Sequence, residues 1–209
     1  GIKVHTLYDV ETQIPAFFHI TEASVHDSKV MIEIPYEPSS YYIFDRGYNN
    51  FKMLYKIHQI EAYFVVRAKK NLQYKSIQWK RKLPRNVLSD ASVLLTGFYP
   101  KQYYPEPLRL VKYWDEEQER EFIFITNTMH TSALQVAELY KNRWQVELFF
   151  KWLKQHLKIK RFWGTTENAV RIQIYAAICT YCLVAIIQHD MQLDRSTYEV
   201  LQILSIFID

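Results

Sequence analysis

The sequence predicts an α/β protein built on a mixed sheet flanked by helices, and three observations carry that prediction. Two compact apolar runs, "SSYYIFD" and "EAYFVVRAK", read as strands and are separated by the helix-like "YNNFKMLYKIHQI", a strand–helix–strand unit of the kind that makes parallel pairs. Residues 70–126 then change texture, with prolines at 84, 100, 105 and 107 and short alternating segments that read as antiparallel strands. From Thr131 onward the pattern is helical throughout. The chain therefore divides into residues 1–69, the first part of a layered core; residues 70–126, a β-rich insertion; and residues 127–209, a helical completion.

Each element follows from local chemistry. "IKVHTLYDV" and "IPAFFHITEA" both alternate apolar and polar residues around the turn-like "ETQ", which predicts a hairpin. "SVHDSKVMIEIP" opens with capping residues and ends before Pro35, as a short helix should. The strand "SSYYIFD" terminates in Asp45, Arg46 and Gly47, and Asn49 or Asn50 supplies an N-cap for the next helix. "EAYFVVRAK" is almost continuously apolar, which predicts a strand covered on both faces. The charged run "DEEQER" reads as a turn between two strands of the insertion, and the stretch from 138 to 155 reads as a single long helix.

Composition narrows the class further. With 49% hydrophobic and 23% charged residues among 209, the chain can bury a core and is not globally disordered. A net charge of +4 is a mild pointer to an anionic partner. Cys179 and Cys182 stand alone in an apolar run without a second pair at metal-ligand spacing, and are read as buried helical thiols. That run, Ile174 to Ile187, is 14 residues long, shorter than the roughly 20 needed to span a bilayer, and is read as a core helix. No signal-peptide pattern opens the sequence, so the expected setting is a reducing cytoplasm with no membrane partner.

The chemistry concentrates in two places. On a helix over 138–155, Tyr140, Arg143, Glu147 and Lys154 stand at i, i+3, i+7 and i+14 and return to one face, while Leu139, Val146, Leu148, Phe149, Phe150 and Leu153 supply an apolar face. Taken alone, Arg143 and Glu147 also read as an ordinary i, i+4 pair. The second place is Asp45, a carboxylate at the C-terminal end of an apolar strand and directly before an arginine and a glycine, where open α/β sheets place ligands. Taken alone, it also reads as a turn cap. Together, two carboxylates from distant parts of the chain can hold hard divalent cations, and a two-ion site of that kind activates a nucleophile and steadies the leaving oxygen in phosphoryl transfer.

The pattern Y-x2-R-x3-E-x6-K formed by Tyr140, Arg143, Glu147 and Lys154, with "YYIFDRGYNNF" upstream and "KVHTLYD" and "HITEASVHDSKV" before that, resembles the DDE transposases of bacterial insertion sequences, specifically insertion-sequence family four. The resemblance covers most of the chain. It implies a ribonuclease H-like fold with a β-rich insertion before the last catalytic helix. It also implies cleavage of transposon ends and strand transfer into target DNA with two Mg²⁺ or Mn²⁺ ions, and a homodimer assembled on DNA in the nucleoid. By the same resemblance Asp45 and Glu147 are the catalytic and metal-holding carboxylates, and Tyr140, Arg143 and Lys154 face DNA phosphates. Arg46, Lys151, Lys158, Lys160 and Arg161 would extend that basic surface.

The family pattern also calls for a first aspartate on a central strand that precedes the hairpin. Counting strands makes Asp9 a poor substitute, because it sits beside the hairpin turn. The expectation is therefore that the first aspartate is absent from these 209 residues, and that they are inactive alone. The alternatives are a non-catalytic DNA-binding module and a ribonuclease H-like nuclease. Trp144, Trp152 and Trp163 could stack on an unpaired base, but at least two of them are expected in the core. His26 and Asp27 are read as a capped helix start, and His5 and His19 as strand residues.

Overall fold

The computed structural model describes residues 1–157 and 162–208, arranged as two compact units, one of residues 23–143 and one of residues 1–22 with 144 onward. The chain enters as the predicted hairpin: β1 (Ile2–Asp9) pairs antiparallel with β2 (Ile14–Glu22) in a two-stranded sheet, with a bulge between Leu7 and Tyr8 and Gln13 at φ 58° in the turn. Asp9 Oδ1 accepts from the backbone N–H groups of Glu11 (2.9 Å) and Thr12 (3.4 Å), so this carboxylate closes the hairpin turn.

The 23–143 unit carries a six-stranded mixed sheet. Its short α1 (Asp27–Val30) is capped by His26, whose Nδ1 accepts from the Ser28 N–H at 3.2 Å. β3 (Tyr41–Phe44) then crosses over through α2 (Phe51–Gln59) to the parallel β4 (Tyr63–Arg67), with Phe44 level with Val66. Of the two candidate caps for α2, Asn50 is the one used, accepting from the Met53 N–H at 3.3 Å. The segment read as a β-rich insertion contains β5 (Tyr74–Trp79), β6 (Val87–Leu95), α3 (Phe98–Tyr103), β7 (Leu108–Asp115) and β8 (Arg120–Thr126). The sheet runs β3-β4-β8-β7-β6-β5, so these antiparallel strands are continuous with β3 and β4 through the β4–β8 pairing. The "DEEQER" turn lies between β7 and β8, with Glu119 at φ 48°.

β4 is an interior strand next to the β3 edge, and Phe64, Val65 and Val66 on it are fully buried. Alternation along the strand sends Val65 into a core with α4 (Ala133–Lys141), through Val136, Ala137 and Tyr140, while the ring of Phe64 meets Tyr104 beyond α3. α4 starts on a complete capping box between Ser132 and Gln135. Two buried polar residues tie the β8–α4 connection to the sheet. Asn127 accepts from the Phe64 N–H at 2.9 Å and donates to the Ala62 carbonyl at 2.8 Å, continuing the β4 ladder with a side chain. Arg109 on β7 is 2% exposed and grips Asp90 on β6 with two bonds of 2.7 Å. Its third nitrogen donates to the carbonyls of Thr128 and Thr131.

In the other unit, the hairpin packs with α5 (Trp144–His156) and α6 (Glu167–Asp190), and α7 (Thr197–Ile208) packs on α6. Ile20, Phe149, Leu153, Ile174, Ala177, Ile178 and Tyr181 form its core. The phenols of Tyr8 and Tyr181 meet at 3.0 Å and both donate to the Gln13 carbonyl.

Four expectations are corrected. The helix expected over 138–155 is two helices: the ladder gives way at Asn142 and Arg143, where the Arg143 N–H reaches Tyr140 O at 3.1 Å, an i−3 bond in place of i−4. The reason is that α4 buries its face in one core and α5 in another. The apolar segment read as too short for a bilayer is a helix of 24 residues, long and apolar enough by length and composition to cross one, as core helices also can be, and its Ile174, Ala177, Ile178, Tyr181 and Val184 are buried. Cys179 on that helix is exposed and Cys182 half-buried, because the buried positions belong to the opposite stripe. Trp144 and Trp163 are 57% and 88% exposed and do not enter the core, while Trp152 is half-buried against Tyr181 and His156.

Replacing Asn127 with Ala orphans one buried donor and one buried acceptor, and should lower unfolding stability by about 2–4 kcal/mol in urea titration with an unchanged denaturant slope. Arg109→Ala leaves Asp90 buried with, among the described residues, the Lys80 ammonium at 3.1 Å as its remaining cation, and should cost about 3–5 kcal/mol. Burial acts to raise the Asp90 carboxyl, but Arg109 and Lys80 outweigh it and hold it below its ordinary value. The pair's contribution is therefore present above about pH 4 and lost as pH falls through the depressed folded value, so Asp90→Asn should flatten the acid limb of a stability–pH curve.

Candidate active site at the end of the third strand

Asp45 follows β3 directly and caps a 3-10 turn, Arg46–Tyr48. One oxygen, Oδ1, takes two donors: the Arg46 N–H at 2.7 Å and the Tyr140 hydroxyl at 3.1 Å. Among the described residues, Oδ2 receives no hydrogen bond. The turn is pinned from the neighbouring strand, because Asn49 Nδ2 donates both to Arg46 O at 2.9 Å and to Arg67 O at 2.8 Å. Space within it is tight: a Cβ on Gly47 would lie 2.8 Å from Asp27 Oδ2. Asp27, read from sequence as part of a helix start, therefore also stands against this turn. Burial, then the charges of Asp27 and Asp45, push the Tyr48 phenol up to about 12.

Parallel pairing sets the C-terminal ends of β3 and β4 side by side, so Asp45 has Arg67 as its neighbour across the sheet. The Arg67 guanidinium lies 4.8 Å from the Phe122 ring, and Arg120 lies 4.4 Å from the same ring. Tyr140 joins this group from α4. It is 7% exposed, its ring is 4.7 Å from Phe124 and 5.7 Å from Phe122, and Arg143 sits 5.6 Å over it. Burial, then the Asp45 charge, raises the Tyr140 phenol above its ordinary value, which keeps it a proton donor to the carboxylate. Arg46 also approaches from the turn, with its Nε buried and no hydrogen-bond partner among the described residues.

The predicted residues thus fall into two groups. Asp45, Arg46, Tyr140 and Arg143 belong to the 23–143 unit, where they cluster at the strand ends. Glu147, Lys151 and Lys154 lie on α5 in the other unit, all exposed, and their i, i+4, i+7 spacing places them on one face of that helix. Lys158, Lys160 and Arg161 lie outside the described residues. Sequence reading missed Arg67, Arg120 and Asn49. A signal for Arg67 was present: two parallel strands ending "YIFD" and "FVVR" must bring the aspartate and the arginine together. Arg120 and Asn49 carry no local signal.

For a hard divalent cation, the donor chemistry at Asp45 is suitable: a carboxylate oxygen is left uncommitted while its partner oxygen is fixed by two donors. Among the described residues there is no cluster of three or more His, Cys, Asp and Glu side chains able to hold a metal ion.

Comparison with known proteins places this chain in a family. The family model described as the transposase DDE domain matches residues 1–183. A Sinorhizobium fredii protein named as a transposase, y4zB, is 36% identical over 215 residues, covering 100% of this chain and 58% of its own length. A Geobacillus stearothermophilus protein named as a transposase for insertion sequence element IS5377 is 32% identical, covering 88% of this chain and 48% of its own length. One from Synechocystis, named for element IS4SA, is 28% identical, covering 89% and 53%. The chain spans about half the length of these relatives. A strand-end aspartate on a mixed sheet, the Tyr-Arg-Glu-Lys pattern and a family match over most of the chain lead to one statement: this chain belongs to the DDE transposase domain family of bacterial insertion sequences.

Proposed function

We propose that the chain is the catalytic part of an enzyme that cleaves the ends of a transposable element and joins them to target DNA. The observation that carries this reading is the Asp45 carboxylate, held at a sheet edge by donors on one oxygen, with Arg143 over the ring of the Tyr140 that binds it. Asp45 and Glu147 would hold divalent metal, Mg²⁺ or Mn²⁺. Bound metal would supply charge neutralisation and an activated nucleophile for in-line phosphoryl transfer. The remaining work falls to the protein. Arg46 and Arg143 offer guanidinium forks suited to phosphate oxygens near Asp45, and Lys151 and Lys154 offer point charges beside Glu147. Lys158, Lys160 and Arg161 would add to a sequence-independent backbone contact.

The first aspartate of the family's set is proposed to lie outside these 209 residues. The place of Asp9 in the hairpin turn, where its Oδ1 accepts from the Glu11 and Thr12 N–H groups, supports that reading. The 209 residues alone would then bind DNA without cutting it. The working form would be a homodimer on DNA, in the cytoplasm and associated with the nucleoid.

Two measurements test this reading. Asp45→Asn and Glu147→Gln in the intact protein should each lower Mg²⁺-dependent nicking of transposon-end DNA by about a thousand-fold or more, as losses from groups that act as a unit do. Nicking that survives either change removes the residue from the catalytic set, and an intact protein that binds but never nicks favours the non-catalytic binding module. DNA binding by the 209-residue chain should weaken steeply with salt, and Arg143→Ala and Lys154→Ala should each reduce the log–log salt slope by about 1.

A further inference from the structure

We propose that Tyr140 is the positioning residue of Asp45, fixing the rotation of its carboxylate so that Oδ2 alone faces the reacting phosphate; this rests on the reading of Asp45 as a catalytic carboxylate. The family signature suggests a phenol turned toward DNA, but here the phenol is buried. Its ring is wedged against Phe122 and Phe124 and covered by Arg143, and its hydroxyl donates to Asp45 Oδ1 at 3.1 Å.

A carboxylate at the end of a strand turns freely about its last torsion, a broad and two-fold one. A single donor, the Arg46 N–H, leaves that rotation only loosely restrained. The second donor comes from a residue 95 positions away on an independently packed helix, and it lands on the same oxygen. Two donors on Oδ1 from different directions define the plane of the group and leave Oδ2 open. The donor is itself held by packing. α4 begins on a capping box and buries Val136, Ala137 and Tyr140 against the sheet, so the phenol's position is set by the core.

Tyr140 and Arg143 differ in function. Arg143 lies half-exposed above the ring and is assigned to backbone phosphate under the proposed function, whereas Tyr140 acts through Asp45. Partners that orient a metal-holding carboxylate typically account for about 10–100-fold in metal affinity or activity. Loss of a direct phosphate contact would instead appear in DNA affinity.

The test is Tyr140→Phe in the intact protein, which removes the hydroxyl and keeps the packed ring. Mn²⁺ binding followed by electron paramagnetic resonance should weaken about 10-fold or more, and end nicking at fixed Mn²⁺ should slow comparably. The affinity for end DNA in the presence of a chelator should stay within about two-fold. In an Asp45→Asn background, Tyr140→Phe should produce no further loss of Mn²⁺ binding, an outcome that a merely structural role would not give. Weakened chelator-independent DNA binding with unchanged Mn²⁺ affinity would overturn the proposal and assign Tyr140 to phosphate contact. An undiminished Mn²⁺ affinity with undiminished nicking would overturn it as well. Full nicking by the single variant Asp45→Asn would instead remove the reading on which the proposal rests.

Discussion

The 23–143 unit depends on one constraint, the burial of the three middle residues of β4. With Phe64, Val65 and Val66 excluded from solvent, this strand must be covered on both faces and paired on both edges. Its parallel partner β3 meets one edge and its antiparallel partner β8 the other. Parallel pairing then forces the C-terminal ends of β3 and β4 to the same side of the sheet, which is why Asp45 and Arg67 are neighbours. Burial of one hydrophobic strand thus sets the position of the charged groups that border it.

Holding that strand in place has a polar cost, met by two side chains at the β8–α4 connection. Where β8 ends, Asn127 supplies the donor and acceptor that a further strand residue would have supplied to Phe64 and Ala62. Arg109 satisfies two carbonyls of the same connection while remaining paired with Asp90. These contacts fix where α4 begins and hence where its last turn delivers Tyr140. Packing, hydrogen bonding and the geometry at Asp45 are in this sense one chain of dependence, running from the centre of the sheet to its edge.

Local features were legible. The β1–β2 hairpin, the Asn50 cap, the apolar β4 and the aspartate at the end of β3 are all written in short-range pattern, because turns, caps and alternation depend on residues a few positions apart. The division of the helical segment after Tyr140 was not legible. "ELYKNRWQVELFF" has no proline or glycine, and its helical periodicity passes through Asn142 and Arg143 without interruption. The break comes from demands that periodicity does not record: α4 buries Val136, Ala137 and Tyr140 in the sheet core, and α5 buries Phe149 and Leu153 in the hairpin core. The exposure of Trp144 and Trp163 has a related origin, since an aromatic residue is placed by the surface that reaches it and not by its own hydrophobicity.

By itself the sequence determined the class of fold, the strand–helix–strand unit, the strand-end aspartate and the residue pattern that marks the family, since each is a statement about neighbours along the chain. Only tertiary structure decided what those residues touch. The bond from Tyr140 to Asp45 spans 95 positions, and the Arg109–Asp90 pair joins two strands through their burial. Neither has a spacing that could be read, because side chains remote in sequence are brought together by core packing, and hydrogen bonds form between the groups that packing has placed.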